Sequence, residues 1–460
     1  MKEDVYMKST TMKSESPASE AEPTFEGLGI EPKFLAMLNR AGFTTPTPIQ
    51  AQSMPITTQG QDVLGIAQTG TGKTLAFGIP MIQRLVQHKG MGLVVLPTRE
   101  LAVQVEHSLQ RIGKELGLKT ALLIGGEAMG KQLRALKFGP HIIIATPGRL
   151  IDHMEQKTVN LSTVKVLVLD EADRMLDMGF APQLKRILQE VPTERQTMLF
   201  SATMPDAIVS IAKNFMHIPV RVEVARPGTA ASTITQEVVF VHRQDKLPVL
   251  KTILTEEQGT ALVFTRTKHG AKKVAKLVRD WGFTSAELHS NRSLSQRLAA
   301  LQGFKQGRYR VLVATDIAAR GIDAAGISLV VNYDLPAVAE DYVHRIGRTG
   351  RAGRAGKAIA IATLEERRDV RDIERLIGQM LPVKQMGPLD RNIPMSVPDE
   401  RPERESRGRR PSGRSSSPFG SRPARSGFGG NRGRGGNAGR PAGRPGTARP
   451  SSGRRFNRGF

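Results

Sequence analysis

Short runs of aliphatic residues, separated by longer stretches with helical periodicity, recur from about residue 24 to residue 225. The runs are continuous rather than alternating, which is typical of strands that are covered on both faces. Strands of this kind alternating with helices predict a parallel α/β sheet, which we call domain one (24–225). The predicted strands are 62–66, 92–96, 141–145, 166–169 and 197–200.

The same pattern restarts further along the chain and predicts a second α/β domain of the same architecture, domain two (233–382). Its predicted strands are 261–264, 309–314 and 328–332, with helical stretches between them. Residues 226–232 are small and polar, which predicts a hinge. Residues 1–23 and 383–460 lack apolar periodicity and are predicted to be disordered.

The net charge of the chain indicates that the protein has a binding partner. The formal net charge is +24, and residues 401–460 contain 16 arginines against two acids. This excess predicts binding to a polyanion and favours nucleic acid, with the tail binding through its guanidinium groups. No apolar run approaches the length of a spanning helix and no signal peptide is apparent, so we expect a soluble, cytoplasmic protein with no membrane partner. The absence of cysteine excludes disulfides and thiolate metal sites.

A glycine-rich loop follows the first predicted strand and leads into a helix. It reads Gly70, Thr71, Gly72, Lys73 and Thr74. Glycines let backbone N–H groups converge on phosphate oxygens, Lys73 adds a positive charge, and Thr74 would ligate Mg²⁺. The strict pattern has glycine where this chain has alanine, at position 67. The alternative is a glycine-rich turn with a surface lysine.

Two acids, Asp170 and Glu171, follow the predicted strand 166–169. A nucleotide hydrolase needs one carboxylate for hydrated Mg²⁺ and another to orient water, and these positions suit both tasks. The alternative is that the two acids cap the next helix. Together with the loop, they predict hydrolysis of a nucleoside triphosphate with Mg²⁺.

The run Asp170, Glu171, Ala172, Asp173 beside this loop resembles the DEAD-box helicase family. Residues 42–50 are similar to the adenine-reading motif of that family, and the isolated aromatic Phe25 precedes them. The resemblance implies that Gln50 hydrogen-bonds adenine and that Phe25 stacks on it. An amide both donates and accepts, so the implied cofactor is ATP rather than GTP.

The resemblance also implies contacts with the RNA backbone from segments in both domains. The alternative for Thr146 and Pro147 is that they only begin a helix, since threonine is a common N-cap and proline a common first helical residue. The family has glutamine where this chain has Leu294. The implied RNA-binding residues are Pro97, Thr98, Arg99, Gly125, Gly126, Thr146, Gly148, Arg149, Thr265, Arg266, Arg297 and Thr315.

Further residues complete the nucleotide site that the resemblance implies. Arg348 and Arg351 would act as arginine fingers on the γ-phosphate, which suits the fixed fork of a guanidinium. A solvated basic face is the alternative for these arginines. His344 would act in catalysis and coupling, and Ser201, Thr203 and Asp173 would couple the ATP state to domain closure. The other implied ATP contacts are Phe43, Thr69, Gly321 and Asp323.

The resemblance therefore implies two tandem RecA-like domains that use ATP and Mg²⁺ to unwind short RNA duplexes. The compact core with an Arg/Gly-rich tail is most similar to bacterial RhlE-type helicases. Ribosome assembly or RNA decay is the expected setting, with ribosomal precursors or RNA-decay proteins as partners. Two alternatives remain open: an ATP-gated RNA clamp or assembly scaffold, and a DNA-directed translocase.

Overall fold

The computed structural model describes residues 23–67, 70–224, 234–319, 326–350, 355–387 and 389. These residues form two parallel sheets, each covered by helices on both faces. The strands of sheet one are β1 Val63–Ile66, β2 Met91–Val95, β3 Thr120–Leu123, β4 Ile142–Ala145, β5 Val164–Leu169, β6 Gln196–Ser201 and β7 Val220–Glu223. The helices around it are α1 Pro32–Arg40, α2 Pro48–Thr57, α3 Lys73–Gln87, α4 Arg99–Gly113, α5 Met129–Lys137, α6 Pro147–Glu155, α7 Ala172–Asp177, α8 Ala181–Glu190 and α9 Asp206–Phe215.

Sheet two has the same organisation. Its strands are β8 Ile234–Val241, β9 Ala261–Phe264, β10 Ser285–Leu288, β11 Val311–Ala314, β12 Leu329–Asn332 and β13 Gly356–Thr363. Its helices are α10 Lys246–Glu256, α11 Lys268–Asp280, α12 Leu294–Lys305, α13 Asp316–Ala319, α14 Ala339–Ile346 and α15 Arg367–Ile377. The predicted fold class, two tandem parallel-sheet α/β units, is confirmed.

The strand order is shared by the two sheets. Sheet one runs β3-β4-β2-β5-β6-β1-β7, and sheet two runs β10-β11-β9-β12-β13-β8. Each position in sheet two corresponds to the position of the same rank in sheet one, which has one further strand at its end. Every strand pair is parallel, so the carboxyl ends of all strands in a sheet meet at one edge. Ligands of open α/β sheets bind at that edge.

Successive strand residues point to opposite faces of sheet one and enter two separate cores. In β2, Val94 packs in the core beneath α3 and α4, whereas Leu93 and Val95 pack in the core on the other face. Burial on both faces explains why the central strands are continuous apolar runs. The four edge strands, β3, β7, β8 and β10, carry polar residues among the apolar ones, and the sequence pattern did not predict them.

The strands of the two sheets lie within the predicted domains, while the exact domain boundaries stay predictions. The packing of domain two extends past the predicted boundary at residue 382, because the Val238 amide donates to the Pro382 carbonyl and the Lys384 amide donates to the Val238 carbonyl. The predicted hinge, the N-terminal segment up to residue 22 and the tail from residue 390 lie outside the described residues. No helix in the described part of the chain combines the length and apolar content needed to cross a bilayer.

Candidate ATP and RNA site

A buried lysine and two buried carboxylates meet at the carboxyl edge of sheet one. Lys73 is the first residue of α3, and Asp170 and Glu171 directly follow β5. Lys73 Nζ lies 2.6 Å from Glu171 Oε1 and 3.4 Å from Asp170 Oδ1, and it also donates to the Ala67 carbonyl at 3.2 Å. All three side chains are at most 4% exposed. The structure thus assembles the predicted phosphate and metal residues in one cluster.

Lys73 and Glu171 in this cluster each stabilise the charged form of the other. Burial disfavours the Lys73 ammonium, but Glu171 and Asp170 outweigh burial and raise the pKa of Lys73. Burial opposes the Glu171 carboxylate, but Lys73, Arg174 and Arg348 outweigh it and lower the pKa of Glu171 to about 2. Burial raises the pKa of Asp170 to about 6, although Lys73 opposes this rise. Glu171 is therefore the firmly ionised member of the acid pair.

Glu171 adopts a backbone conformation that non-glycine residues rarely take. Its φ is 54° and its ψ is 48°, in the left-handed region. Such a conformation costs about 1–3 kcal/mol and tends to persist where function requires it. Glu171 is the N-cap residue of α7, but its side chain makes no capping hydrogen bond. The alternative that the two acids serve to cap the helix is therefore not what the structure shows.

The phosphate loop is closed by a contact that only glycine permits. Gly72 has a φ of 91°, and a Cβ at this position would lie 2.4 Å from Gln50 Nε2. Gln50 Nε2 donates to the Gly72 carbonyl at 2.9 Å, while its Oε1 accepts from the Thr47 amide at 3.0 Å. Gln50 is buried and links the start of α2 to the phosphate loop. Its predicted adenine contact would use the second lone pair of the amide oxygen and the second N–H of Nε2.

The two predicted aromatic contacts occupy different environments. Phe25 is 4% exposed and packs in the core of sheet one, so its predicted stacking on adenine stays a prediction. Phe43 is half-buried, and the Arg111 guanidinium lies 5.4 Å from its ring centroid. Phe43 also lines a cavity of about 250 Å³ together with residues of the phosphate loop and of α4. The predicted residues lining this cavity are Phe43, Gly70, Gly72, Lys73, Thr74, Asp170 and Glu171.

Asp173 connects the acidic segment to the end of β6, where the other two predicted coupling residues, Ser201 and Thr203, lie. Its Oδ2 accepts from the Ala202 amide at 3.1 Å and from the Thr203 amide and hydroxyl, both at 2.9 Å. The Asp173 amide donates to Ser201 Oγ at 3.3 Å. These hydrogen bonds join the two segments, and the coupling role of the three residues stays a prediction.

The predicted RNA contacts of domain one form a continuous surface around Arg99. Its guanidinium lies against the Gly125 and Gly126 backbone, where a Cβ on Gly126 would clash with it. Arg149 donates to the Glu127 carbonyl at 3.1 Å, which places a second guanidinium beside the same loop. Burial, together with the charges of Arg297 and Arg149, lowers the pKa of Arg99. These arginines therefore share one positive field that suits a phosphate backbone.

The ends of the neighbouring strands complete that surface. Thr98 is the N-cap of α4 and its Oγ1 accepts from the Leu101 amide at 3.3 Å, while Pro97 before it is buried. Thr146 is the N-cap of α6 but makes no side-chain capping bond, and Gly148 in the first turn is exposed. The backbone N–H groups of this helix start are positioned for an anion.

Arg297 links the two domains. Its Nε donates to Glu100 Oε1 at 2.5 Å, so the guanidinium predicted to contact a phosphate is held by a carboxylate of domain one. Leu294, which replaces the glutamine of the family, packs with Leu298 against the core of sheet one. Leu294 therefore makes an apolar contact between the two domains.

The remaining predicted RNA residues of domain two lie at the carboxyl edge of sheet two. Thr265 is buried and its Oγ1 donates to the Thr267 carbonyl at 3.3 Å. The side chain of Arg266 is 54% exposed, and its amide donates to Asp334 Oδ2 at 2.9 Å. The Thr315 amide donates to the Leu288 carbonyl at 3.1 Å. Arg266 is the member of this group whose side chain is open to solvent.

Arg348 and His344 approach the acidic cluster from α14 and the turn after it. Arg348 is 4% exposed, its Nε donates to the His344 carbonyl at 3.2 Å, and it contributes to the low pKa of Glu171. Burial, with the nearby Arg174 and Arg348 guanidiniums, lowers the pKa of His344 to about 3. His344 is therefore a neutral imidazole at physiological pH. Thr69, Gly321, Asp323 and Arg351, also predicted here, lie outside the described residues.

Two further arginines were missed by the sequence reasoning. Arg174 is 2% exposed, and its Nη1 lies 2.9 Å from Asp341 Oδ1 on α14, which joins the acidic segment to the helix that carries His344. Arg345 pairs with both oxygens of Asp316, at 2.5 and 2.7 Å, and anchors the same helix within domain two. Arg174 directly follows the acidic motif, but no sequence pattern connects it to a residue of the other domain.

A buried histidine was also missed. His153 Nε2 lies 3.0 Å from Gln132 Oε1, and His153 Nδ1 lies 2.7 Å from Thr158 Oγ1. Gln132 in turn donates to the Ile124 carbonyl at 2.8 Å, immediately before Gly125. The pair braces the glycine loop against α6, and both segments belong to the predicted RNA surface.

Two family models match the chain. The first, described as DEAD/DEAH box helicase, matches residues 47–211, and the second, described as helicase conserved C-terminal domain, matches residues 245–353. Among curated relatives, the DEAD-box ATP-dependent RNA helicase CshA of Geobacillus kaustophilus is 44% identical over 355 residues, which are 76% of each chain. CshA of Bacillus licheniformis is 43% identical over 80% of this chain and 77% of its own.

Solved structures show the same architecture. S. cerevisiae Dbp5 bound to RNA and ADP BeF3 has a TM-score of 0.71 at 30% identity, with 79% of this chain and 96% of that chain covered. Mss116 bound to ssRNA and AMP-PNP has a TM-score of 0.72 at 28% identity, with 81% of both chains covered.

The fold and the site define a class of protein, the nucleoside triphosphatases built from two RecA-like α/β domains. Within that class, the chain belongs to the DEAD-box ATP-dependent RNA helicase family, whose members hydrolyse ATP and act on RNA. The relatives named above are CshA-type, so the expected RhlE-type assignment finds no support in them.

Proposed function

We propose that this chain couples hydrolysis of ATP with Mg²⁺ to the local separation of short RNA duplexes. The observation that carries this proposal is the contact between the domains beside the acidic cluster. Arg174 Nη1, on the helix that follows Glu171, lies 2.9 Å from Asp341 Oδ1 of domain two, and both residues line one cavity with Arg348. A charge from each domain is thus available to one reaction centre. Hydrolysis would then occur only when the domains are closed on each other.

The residues of domain one divide the chemical tasks. Lys73 would neutralise the phosphates. When Lys73 leaves its ion pair with Glu171 to do so, the Glu171 carboxylate would be free to orient the attacking water. Thr74 and Asp170 line the same cavity and offer the oxygen donors that Mg²⁺ prefers. When bound there, Mg²⁺ would supply positive charge that stabilises the negative charge developing on the phosphate oxygens. Arg348, and by prediction Arg351, would stabilise the same charge from the other side.

RNA and ATP would each favour the closed arrangement of the two domains. The predicted RNA surface includes Arg99 of domain one and Arg297 of domain two, which lie close enough to affect one another electrostatically. A ligand that spans both domains stabilises closure, so each ligand raises the affinity for the other by reciprocal linkage. Arginine contacts of this type are made to the RNA backbone rather than to the bases, which implies little sequence specificity. Dbp5 and Mss116 were solved with RNA and a nucleotide analogue together, which supports this view.

The substitution Glu171→Gln tests this proposal. It keeps the shape of the side chain and removes the carboxylate, so we expect ATP turnover to fall about 10³-fold while ATP-dependent RNA binding is retained. Turnover and RNA affinity should be measured on the same preparation. Glu190→Gln, an exposed position on α8, is the matched control and should retain full turnover. Undiminished hydrolysis in Glu171→Gln would contradict the role assigned to Glu171.

The biological setting is a finer proposal. A cytoplasmic role in ribosome assembly or RNA decay, with proteins of those processes as partners, rests on the sequence resemblance. An ATP-gated clamp or scaffold would bind RNA without displacing a strand. The presence of Glu171 and Arg348 in this chain favours the catalytic alternative.

A further inference from the structure

One face of α11 is strongly basic and carries no compensating acid. Lys268, Lys272 and Lys276 follow one another at intervals of four residues and are all exposed. Exposed Lys273 and Arg279 flank this row, and the sole acid of the helix is its last residue, Asp280. None of the four lysines forms an ion pair with a carboxylate of the described residues. We call the face formed by Lys268, Lys272, Lys273, Lys276 and Arg279 the α11 basic face.

This arrangement is unfavourable for the helix itself. Like charges four residues apart destabilise a helix by about 0.2–0.5 kcal/mol per pair, and Lys268 places a positive charge at the positive end of the helix dipole. The basic helix α15 differs, because acids alternate with its arginines and Arg375 pairs with Asp372 at 3.0 Å. The lysine charges of α11 are therefore not neutralised within the helix, and an external anion could bind them.

The position of α11 indicates which anion. The helix follows β9 after three residues, and its N-cap Thr267 comes directly after Thr265 and Arg266, the predicted RNA contacts at the carboxyl edge of sheet two. The α11 basic face thus continues from Arg266 along 13 residues, about 20 Å. A polyanionic strand that leaves Arg266 would meet a lysine at each turn.

We propose that the α11 basic face binds the phosphates of the RNA strand where it continues beyond the contact at Arg266. This surface extends the RNA site of domain two and rests on the proposed placement of RNA at Arg266. Lysine suits the task because it acts as a mobile point charge on a backbone without reading bases. The face adds affinity for long RNA and does not take part in ATP hydrolysis.

The test uses the full chain with Lys268→Gln, Lys272→Gln and Lys276→Gln combined. Its affinity for single-stranded RNA should be measured against oligonucleotide length and salt concentration, with a non-hydrolysable ATP analogue present. We expect equal binding of the shortest strands and about tenfold weaker binding of long strands at low salt. Each phosphate contact on a single strand contributes roughly 0.7 to the salt slope, so the slope for long RNA should fall by about 2.

The matched control loses the same charge elsewhere, through Lys114→Gln, Lys185→Gln and Lys213→Gln, all exposed in domain one. An equal loss of affinity in the control, or an unchanged length dependence in the α11 variant, would overturn the proposal. The thermal midpoint of the α11 variant should not fall, since the substitutions remove repulsion. ATP turnover stimulated by saturating short RNA should be unchanged. Failure of the proposed function would instead appear as absent RNA stimulation in the unaltered chain.

Discussion

Domain one and domain two each place a buried lysine at the same topological position. Lys73 begins α3 after β1, and Lys246 begins α10 after β8, the strand of equivalent rank in sheet two. The acids also correspond, since Asp170 follows β5 and Asp334 lies shortly after β12. Lys246 Nζ is 3.9 Å from Asp334 Oδ1, compared with 3.4 Å between Lys73 and Asp170.

The two domains differ in the loop that precedes the lysine and in the groups that contact its ammonium. In domain one, glycines with positive φ precede Lys73 and leave a cavity beside it. In domain two, a short 3₁₀ turn at Arg243–Asp245 precedes Lys246, whose Nζ is held by Glu366 at 3.2 Å and by the Tyr333 carbonyl at 3.2 Å. We infer that a lysine at this position can bind phosphate only when the preceding loop leaves room and N–H donors for the phosphate.

The largest effect is expected from removing each lysine in turn. Lys73→Ala should reduce ATP turnover by about 10³-fold or more, because it removes the charge proposed to neutralise the phosphates. Lys246→Ala should keep turnover within a few-fold but lower the free energy of unfolding by about 1–3 kcal/mol, because Glu366 loses its buried partner. Turnover at saturating ATP and urea denaturation measure the two outcomes. Loss of turnover in Lys246→Ala without loss of stability would contradict the structural role assigned to Lys246.

An intermediate effect is expected from the ion pair that joins the two domains. Asp341→Asn should weaken ATP-dependent RNA binding about tenfold, since the buried Arg174 then loses its carboxylate partner at 2.9 Å and keeps Asp177 at 3.9 Å. Arg174→Met should have a smaller effect in the Asp341→Asn background than alone, which a double-mutant cycle measures. Asp372→Asn, at an exposed position on α15, serves as the control. Additive effects would show that the pair does not act across the domains.

The smallest effect concerns the pH dependence of domain one. Burial, with the charge of Arg149, lowers the pKa of His153 below its usual 6.5. The unfolded chain therefore binds more protons below that value, so the contribution of neutral His153 is present above about pH 6.5 and is lost as the pH falls. We expect His153→Asn to flatten the fall of the thermal midpoint between about pH 6.5 and pH 5 by a few degrees. His88→Asn, at an exposed position, should leave that dependence unchanged.

Much of the fold was accessible from the sequence. Most central strands were predicted because burial on both faces imposes continuous apolar runs, as in β9, whose observed bounds match the predicted ones. The exception is β13, a buried central strand of sheet two that was not predicted. The edge strands could not be predicted in this way, since β3 and β10 include polar residues. At the site, the loop ending in Lys73 and Thr74 and the acids at the end of β5 were predicted from their spacing and their position relative to strands.

The sequence by itself determined the chemistry available: a phosphate loop, a pair of acids, arginines in ordered motifs and an excess of positive charge. These follow from local patterns, because a loop or a strand end is specified by residues near it in the chain. Only the tertiary structure decided that Lys73 pairs with Glu171, that Arg174 meets Asp341 and that Lys246 is neutralised by Glu366. Those partners are 98, 167 and 120 residues apart, and no local pattern specifies a contact at such a separation.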